Sequence, residues 1–308
     1  MNVYASHDKH RERMKERFGD AVRIVDAKSA ADIIISGVFK AEDAQANTRA
    51  IIVPYTGLDA IDLDVVEREG IALFNTTVHS PYVAEKAIHL LFATLGKVIP
   101  YHDRLRRGDW SGRGTEGRIV WESVFRKRIG IFGYGRIGRC IAAMLEPFDV
   151  EIHLLDRGKE PAGAIRHPDL RSLVAASDVV FIAAPLTPST RHAFDSEVLS
   201  NMAHAHLVNV GRGPIVDEDA LYEALQKKTL KSYASDVWYD YPKQGETSKA
   251  PSKHPLHHFE NVVMSPHVAG MCETSEEELT EAALDTLERL MADDYSGALL
   301  PGDSKART

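Results

Sequence analysis

Residues 129–138 read Ile-Gly-Ile-Phe-Gly-Tyr-Gly-Arg-Ile-Gly. An apolar run enters the turn Gly133-Tyr134-Gly135-Arg136-Ile137-Gly138, and a helical pattern leaves it with Ile137, Cys140, Ile141, Met144 and Leu145 on one face. This strand, G-x-G-x-x-G turn and helix constrain the chain more than any other feature. Gly133 permits the tight turn, Gly135 lets the backbone approach a pyrophosphate, and Gly138 lets helix and strand pack closely. The helix N-terminus offers unpaired N–H groups and a partial positive charge to phosphates. The next apolar run ends at Asp156, 18 residues after Gly138. A carboxylate there accepts from ribose hydroxyls and repels a 2′-phosphate, which predicts NAD rather than NADP. Arg157 follows at once and can stack on adenine or hold a 2′-phosphate.

The surrounding pattern extends the unit. Short apolar runs at 129–132, 150–155, 178–183, 206–210, 232–237 and 261–264 read as six strands, with helical segments at 137–146, 170–176 and 217–228 between several of them. Runs of this kind suit parallel strands buried on both faces, and predict a Rossmann-type doubly wound parallel sheet. The first hundred residues repeat the rhythm at lower amplitude. Asn2–Ala5, Ile33–Ser36, Ala50–Val53 and Ile71–Phe74 read as strands among charged or Ala-rich stretches, which predicts a second, smaller flavodoxin-like α/β domain. A long helix starts at Ser80-Pro81, and the Arg- and Gly-rich segment 104–117 reads as a linker. A last helix follows Thr274-Ser275-Glu276-Glu277, which has capping-box spacing. The expected division is residues 1–100 with 272–308 as one discontinuous domain, and 101–271 as the dinucleotide-binding domain.

Composition narrows the setting. Lys and Arg total 37 against 45 Asp and Glu, a net charge of −8, so no basic footprint for nucleic acid is expected. No run approaches the ~18 apolar residues of a membrane span, and residues 1–17 lack the apolar core of a secretory signal. Two cysteines, Cys140 and Cys272, exclude a disulfide framework and give no zinc-site spacing, so no metal and a cytoplasmic location are expected.

Two further segments carry chemistry. Leu207-Val208-Asn209-Val210-Gly211-Arg212-Gly213 leaves a strand and places Arg212 at the carboxyl edge of the sheet, where open α/β sheets bind ligands. A planar, permanently charged fork suits carboxylate and carbonyl oxygens. Ser265-Pro266-His267-Val268-Ala269-Gly270 puts His267 past the last strand of the same sheet, and histidine suits proton transfer near neutral pH. Together with the glycine turn and Pro185-Leu186-Thr187-Pro188-Ser189-Thr190-Arg191, these segments resemble the D-isomer-specific 2-hydroxyacid dehydrogenase family. Thr56-Gly57-Leu58-Asp59 and Val83-Ala84-Glu85 match that family's first domain in the same order.

The resemblance implies hydride transfer between a nicotinamide and C2 of a small 2-hydroxy or 2-oxo acid. Arg212 would polarise the substrate carbonyl, and His267 would donate or remove the proton. Tyr55, Thr56, Gly57 and His79 would join Arg212 in holding the substrate, whose carboxylate would meet backbone N–H groups around Thr56 and Gly57. Cofactor contacts would come from Gly133, Tyr134, Gly135, Arg136, Ile137, Gly138, Asp156, Arg157, Pro185, Thr190, Val210, Gly211, Arg212, Asp236, His267 and Gly270, with Asp236 near the carboxamide. The family also implies a homodimer, for which Arg104–Trp110 is the candidate contact arm. One position departs from the pattern. Most members carry a Glu that orients the histidine, and here Tyr241 stands in its place, with Asp240 beside it. Tyrosine can hydrogen-bond the imidazole but carries no charge at neutral pH. The substitution leaves two alternatives beside the dehydrogenase: an NAD-binding regulatory protein on the same scaffold, or an oxidation of formate or phosphonate type. The polar stretch Lys243 to Lys253 reads as a mobile surface loop.

Overall fold

The computed structural model describes residues 1–113, 120–156, 158, 161, 163–243 and 245–300. The chain divides into two compact units, one of Met1–His79 with Met271–Thr308 and one of Ser80–Gly270. In the first unit the chain runs through β1 (Asn2–Ala5), α1 (Asp8–Phe18), β2 (Arg23–Val25), β3 (Ile33–Ile35), β4 (Ala50–Val53), α2 (Leu63–Arg68) and β5 (Ala72–Asn75). The pairings between these strands are parallel, in the order β2-β1-β3-β4-β5. That is the flavodoxin-like order 2-1-3-4-5.

The second unit comprises α3 (Ser80–Leu95), α4 (Val98–Arg106), β6 (Arg128–Phe132), α5 (Arg136–Leu145), β7 (Glu151–Leu155), β8 (Ile165–His167), α6 (Leu170–Ala175), β9 (Val179–Ile182), α7 (Ser196–Ser200), β10 (Met202–Asn209), α8 (Glu218–Lys227), β11 (Leu230–Ser235) and β12 (Val262–Met264). The last helix, α9 (Ser275–Met291), returns to the first unit. There Leu284 and Leu287 pack on the same apolar face as Val3, Ile33, Ile52 and Met14. The second sheet is wholly parallel, in the order β12-β11-β10-β9-β6-β7-β8. The order reverses between β6 and β9, and the crevice at such a switch point is where these sheets bind nucleotides.

Four expectations need correction. The first segment ends at residue 79, not 100, because α3 buries Ala84, Ala87, Leu91 and Leu95 against Ile129, Val179, Val208 and Ala234 of the second sheet. Residues 104–106 are helical within α4, and 111–113 form a 3-10 turn; 114–119 lie outside the described residues. Thr274 makes no side-chain cap to α9; the Ser275 hydroxyl bonds the backbone of Cys272 instead. The sheets also gain β2 and β8, which carried no apolar signal because both are three-residue edge strands, partly exposed and containing Arg or His.

His10 on α1 is buried with neither ring nitrogen hydrogen-bonded. Burial, and then the neighbouring His7, lowers its pKa to about 4. The unfolded chain therefore binds a proton that the folded chain refuses between pH 6.5 and 4, so stability falls as pH drops through that window. The full difference is about 3 kcal/mol. His10→Leu should flatten the acid side of a melting-temperature profile; an unchanged slope would contradict this account.

Candidate active site

Strand register builds the site. Phe132 of β6, Ile182 of β9, Asn209 of β10, Ser235 of β11 and Met264 of β12 stand in one row across the second sheet. Because every strand is parallel, the segments that follow them leave from one edge. These segments carry Gly133, Pro185, Arg212, Asp236 and His267.

The glycine turn has a division of labour. Gly133 has φ +103, and a Cβ there would lie 2.5 Å from the Ala184 nitrogen that follows β9. A Cβ on Gly138 would lie 2.3 Å from the Gly133 carbonyl. These two glycines are required by the protein's own packing. Gly135 is not: its φ is −78, it caps α5, and an added Cβ meets nothing within 4 Å. The open space lies at a helix N-terminus, where unpaired N–H groups favour anions, and fits a pyrophosphate. Tyr134 and Ile137 are partly buried against the core, while Arg136 is exposed at the start of α5. Asp156 is exposed at the end of β7, and its carboxylate accepts from Gly158 N at 3.2 Å. Arg157 lies outside the described residues. Thr190 ties the β9 loop by donating to the Pro185 carbonyl at 2.7 Å.

Two fully buried polar side chains hold the loops that carry chemistry. Asn209 accepts from Gly211 N at 3.0 Å and donates to the Arg212 carbonyl at 3.0 Å, closing the turn through the buried Val210. The Arg212 guanidinium donates to the Gly211 carbonyl at 2.8 Å. Asp236 accepts from the Ser265 hydroxyl at 2.6 Å, Val268 N at 3.1 Å and Ala269 N at 2.8 Å. His267, between those donors, is exposed and has φ +59. A non-glycine residue keeps that conformation only where its surroundings over-determine it, a frequent property of functional positions. Asp236 thus sits under the histidine loop, and Gly270 ends the same segment.

Tyr241 lies beside His267, with ring centroids 5.3 Å apart at 49°. Its hydroxyl accepts from Trp238 N at 2.9 Å, and the Trp238 indole donates to the Ser265 carbonyl at 2.8 Å. In the first unit the expected substrate residues follow β4 and β5. The Thr56 hydroxyl lies 3.3 Å from both the Thr76 carbonyl and His79 Nε2, and Asn75 donates to the Thr56 carbonyl at 2.9 Å. His79 is buried with Nδ1 unbonded, and burial lowers its pKa. Tyr55 is partly exposed and packs against Gly37, while Gly57 is half-buried. Asn209 and the supporting role of Asp236 were absent from the sequence reading; the available signal was a polar residue closing each of two apolar strand runs.

Residues 88–269 match the family model for the NAD binding domain of D-isomer specific 2-hydroxyacid dehydrogenases. The chain belongs to this family. Glyoxylate/hydroxypyruvate reductase B of Pectobacterium carotovorum is 34% identical over 239 residues, 75% of this chain and 72% of that protein. Glyoxylate reductase of Thermofilum pendens is 30% identical over 290 residues, 91% and 84% of the two chains. The crystal structure of an NADPH-dependent glyoxylate/hydroxypyruvate reductase from Sinorhizobium meliloti, with NADP and malonate, has a TM-score of 0.81 at 28% identity, covering 99% of this chain and 97% of that one.

The two kinds of glycine separate folding from binding. Gly135→Val should melt like the wild type but lose more than about tenfold in NADH affinity, the equivalent of 1.4 kcal/mol. Gly133→Ala should lower the melting temperature. Fluorescence titration and thermal melts check both; unchanged NADH binding by Gly135→Val would remove the pyrophosphate assignment.

Proposed function

We propose that this dehydrogenase reduces small 2-oxo acids, with glyoxylate and hydroxypyruvate as the first candidates given its relatives. The arrangement of Arg212 and His267 carries the reading. Both leave the carboxyl edge that holds the glycine turn, and a buried side chain fixes each loop. NAD(H), when bound, supplies the hydride acceptor or donor. Gly133 to Gly138 hold its pyrophosphate, and Asp156 favours the unphosphorylated ribose, hence NAD over NADP. Pro185, Thr190, Val210, Gly211 and Gly270 complete the nucleotide-facing edge.

Arg212 directs its guanidinium at the substrate carboxylate and carbonyl, polarising the C2–O bond. His267 gives its proton to the developing alkoxide during reduction and takes it back in oxidation. In the first unit, Tyr55, Thr56, Gly57 and His79 are the positions that the family resemblance gives to substrate binding. Tyr241 orients the His267 ring without a negative charge.

The working unit is proposed to be a cytoplasmic homodimer. Val98, Leu105, Trp110, Val120, Trp121 and Phe125, all in the second unit, are exposed, and large apolar side chains left in water are candidates for contact with a second copy. Light scattering should then give twice the 34.1 kDa chain mass; a monomer would refute the dimer.

NADH oxidation against glyoxylate, hydroxypyruvate, pyruvate, phenylpyruvate and 2-oxobutyrate tests the activity. At least one acid should turn over. Arg212→Ala and His267→Asn should each lower kcat by about 10²–10⁴-fold with NADH still bound. Intact NADH binding with no turnover of any acid would reject the function.

A further inference from the structure

Tyr241 has a local tie, from Trp238 N to its hydroxyl, and it lies in a longer excursion of the chain. The chain between β11 and the 3-10 turn Leu256–His258 leaves the sheet, passes Tyr241 and returns. Its two legs meet at Pro251, whose carbonyl accepts from Tyr239 N and Asp240 N, both at 3.1 Å. Past this neck the return leg lands on the first turn of α8. One oxygen of Glu218, Oε1, accepts from the Ser252 hydroxyl and from Lys253 N, both at 2.8 Å. Ser252 is buried, and the Glu218 side chain is 18% exposed. Asp219 accepts from Lys253 Nζ at 2.8 Å and faces His254 Nε2 at 2.7 Å, and the His254 ring lies flat on Tyr222 at 4.3 Å. The outgoing leg reaches the same place, where the Tyr239 hydroxyl donates to the Val216 carbonyl at 3.1 Å. The described residues from Pro242 to Ala250 are exposed.

These ties differ in strength. The Asp219–Lys253 pair is exposed and contributes little in water. Glu218 is shielded and bonds a buried hydroxyl and a backbone N–H, and such charge-assisted bonds are the stronger kind. We propose that Glu218 is a positioning residue for the reaction: by fixing Ser252 and Lys253 on α8 it holds the neck at Pro251, and so keeps Tyr241 against His267. The inference rests on the roles proposed above for Tyr241 and His267. Both donors meet a single oxygen, so an amide oxygen keeps the two bonds but loses their charge assistance and the pairing of Oε2 with Lys253 Nζ at 4.0 Å.

The test uses the full chain as wild type, Glu218→Gln, Glu218→Ala, Tyr241→Ala and the double variant Glu218→Ala/Tyr241→Ala. Each is assayed for NADH-dependent reduction of the best 2-oxo acid and for trypsin cleavage at Lys249 and Lys253. Glu218→Ala should lower kcat about tenfold with KM for the 2-oxo acid within about twofold, the signature of a displaced acid–base group rather than of lost substrate binding, and speed cleavage. Glu218→Gln keeps both bonds without the charge and should fall between wild type and Glu218→Ala in both readouts, and the double variant should stay within about twofold of Tyr241→Ala. Wild-type kinetics in Glu218→Ala, additive losses in the double variant, or equal damage from Gln and Ala would each overturn the proposal. If the wild type reduces no 2-oxo acid, the functional reading fails. Trypsin then judges the tie alone: equal cleavage of wild type and Glu218→Ala overturns it, and faster cleavage of the variant supports it.

Discussion

A buried carboxylate with three donors converging on it is the constraint on which the active edge depends. Asp236 has no exposed surface, and the backbone N–H groups of Val268 and Ala269 and the hydroxyl of Ser265 all end on it. A buried carboxylate with no such donors would be strongly disfavoured. The loop satisfies the charge, and the charge fixes the loop. His267 then takes a backbone conformation that a side chain rarely adopts alone. Asn209 does the same for Arg212 one strand away, using both faces of its amide. Sheet and loops thus form one object, in which strand register sets where the supporting side chains stand and these set where the reactive ones project.

The glycine turn obeys a different logic. Gly133 and Gly138 are fixed by contacts within the protein, whereas no contact within the protein calls for a glycine at position 135. Asp156 stands exposed at the end of β7, with its carboxylate turned to the backbone of Gly158. Folding requirements are therefore carried by some residues of a single motif and not by their neighbours, and substitution separates them.

Much of this was legible in sequence where the signal is local. The glycine turn, the apolar strands and the residues Arg212 and His267 each sit in a contiguous segment whose order and spacing imply their place. What escaped depends on distant contacts. The first unit's boundary moved to residue 79 because α3 packs on strands that begin with β6, more than 30 residues later. The edge strands β2 and β8 are stabilised by neighbours rather than by their own composition. Asp236 was placed at the nicotinamide by resemblance alone, and its bonds to a loop some 30 residues ahead are invisible to spacing. The segment 243–253, read as a mobile loop, is anchored at its far end by Glu218, which precedes it. In each case the missing information was which faces meet.

Asp236 is positioned to act through the His267 loop rather than by binding the dinucleotide. Asp236→Asn preserves size but replaces one acceptor with a donor facing N–H groups. Its NADH dissociation constant and its kcat at saturating NADH decide the matter. The dissociation constant should stay within about threefold of wild type while kcat falls by about 10²-fold, the lower range for a displaced acid–base group. A dissociation constant raised by a similar factor with kcat unchanged would contradict this role.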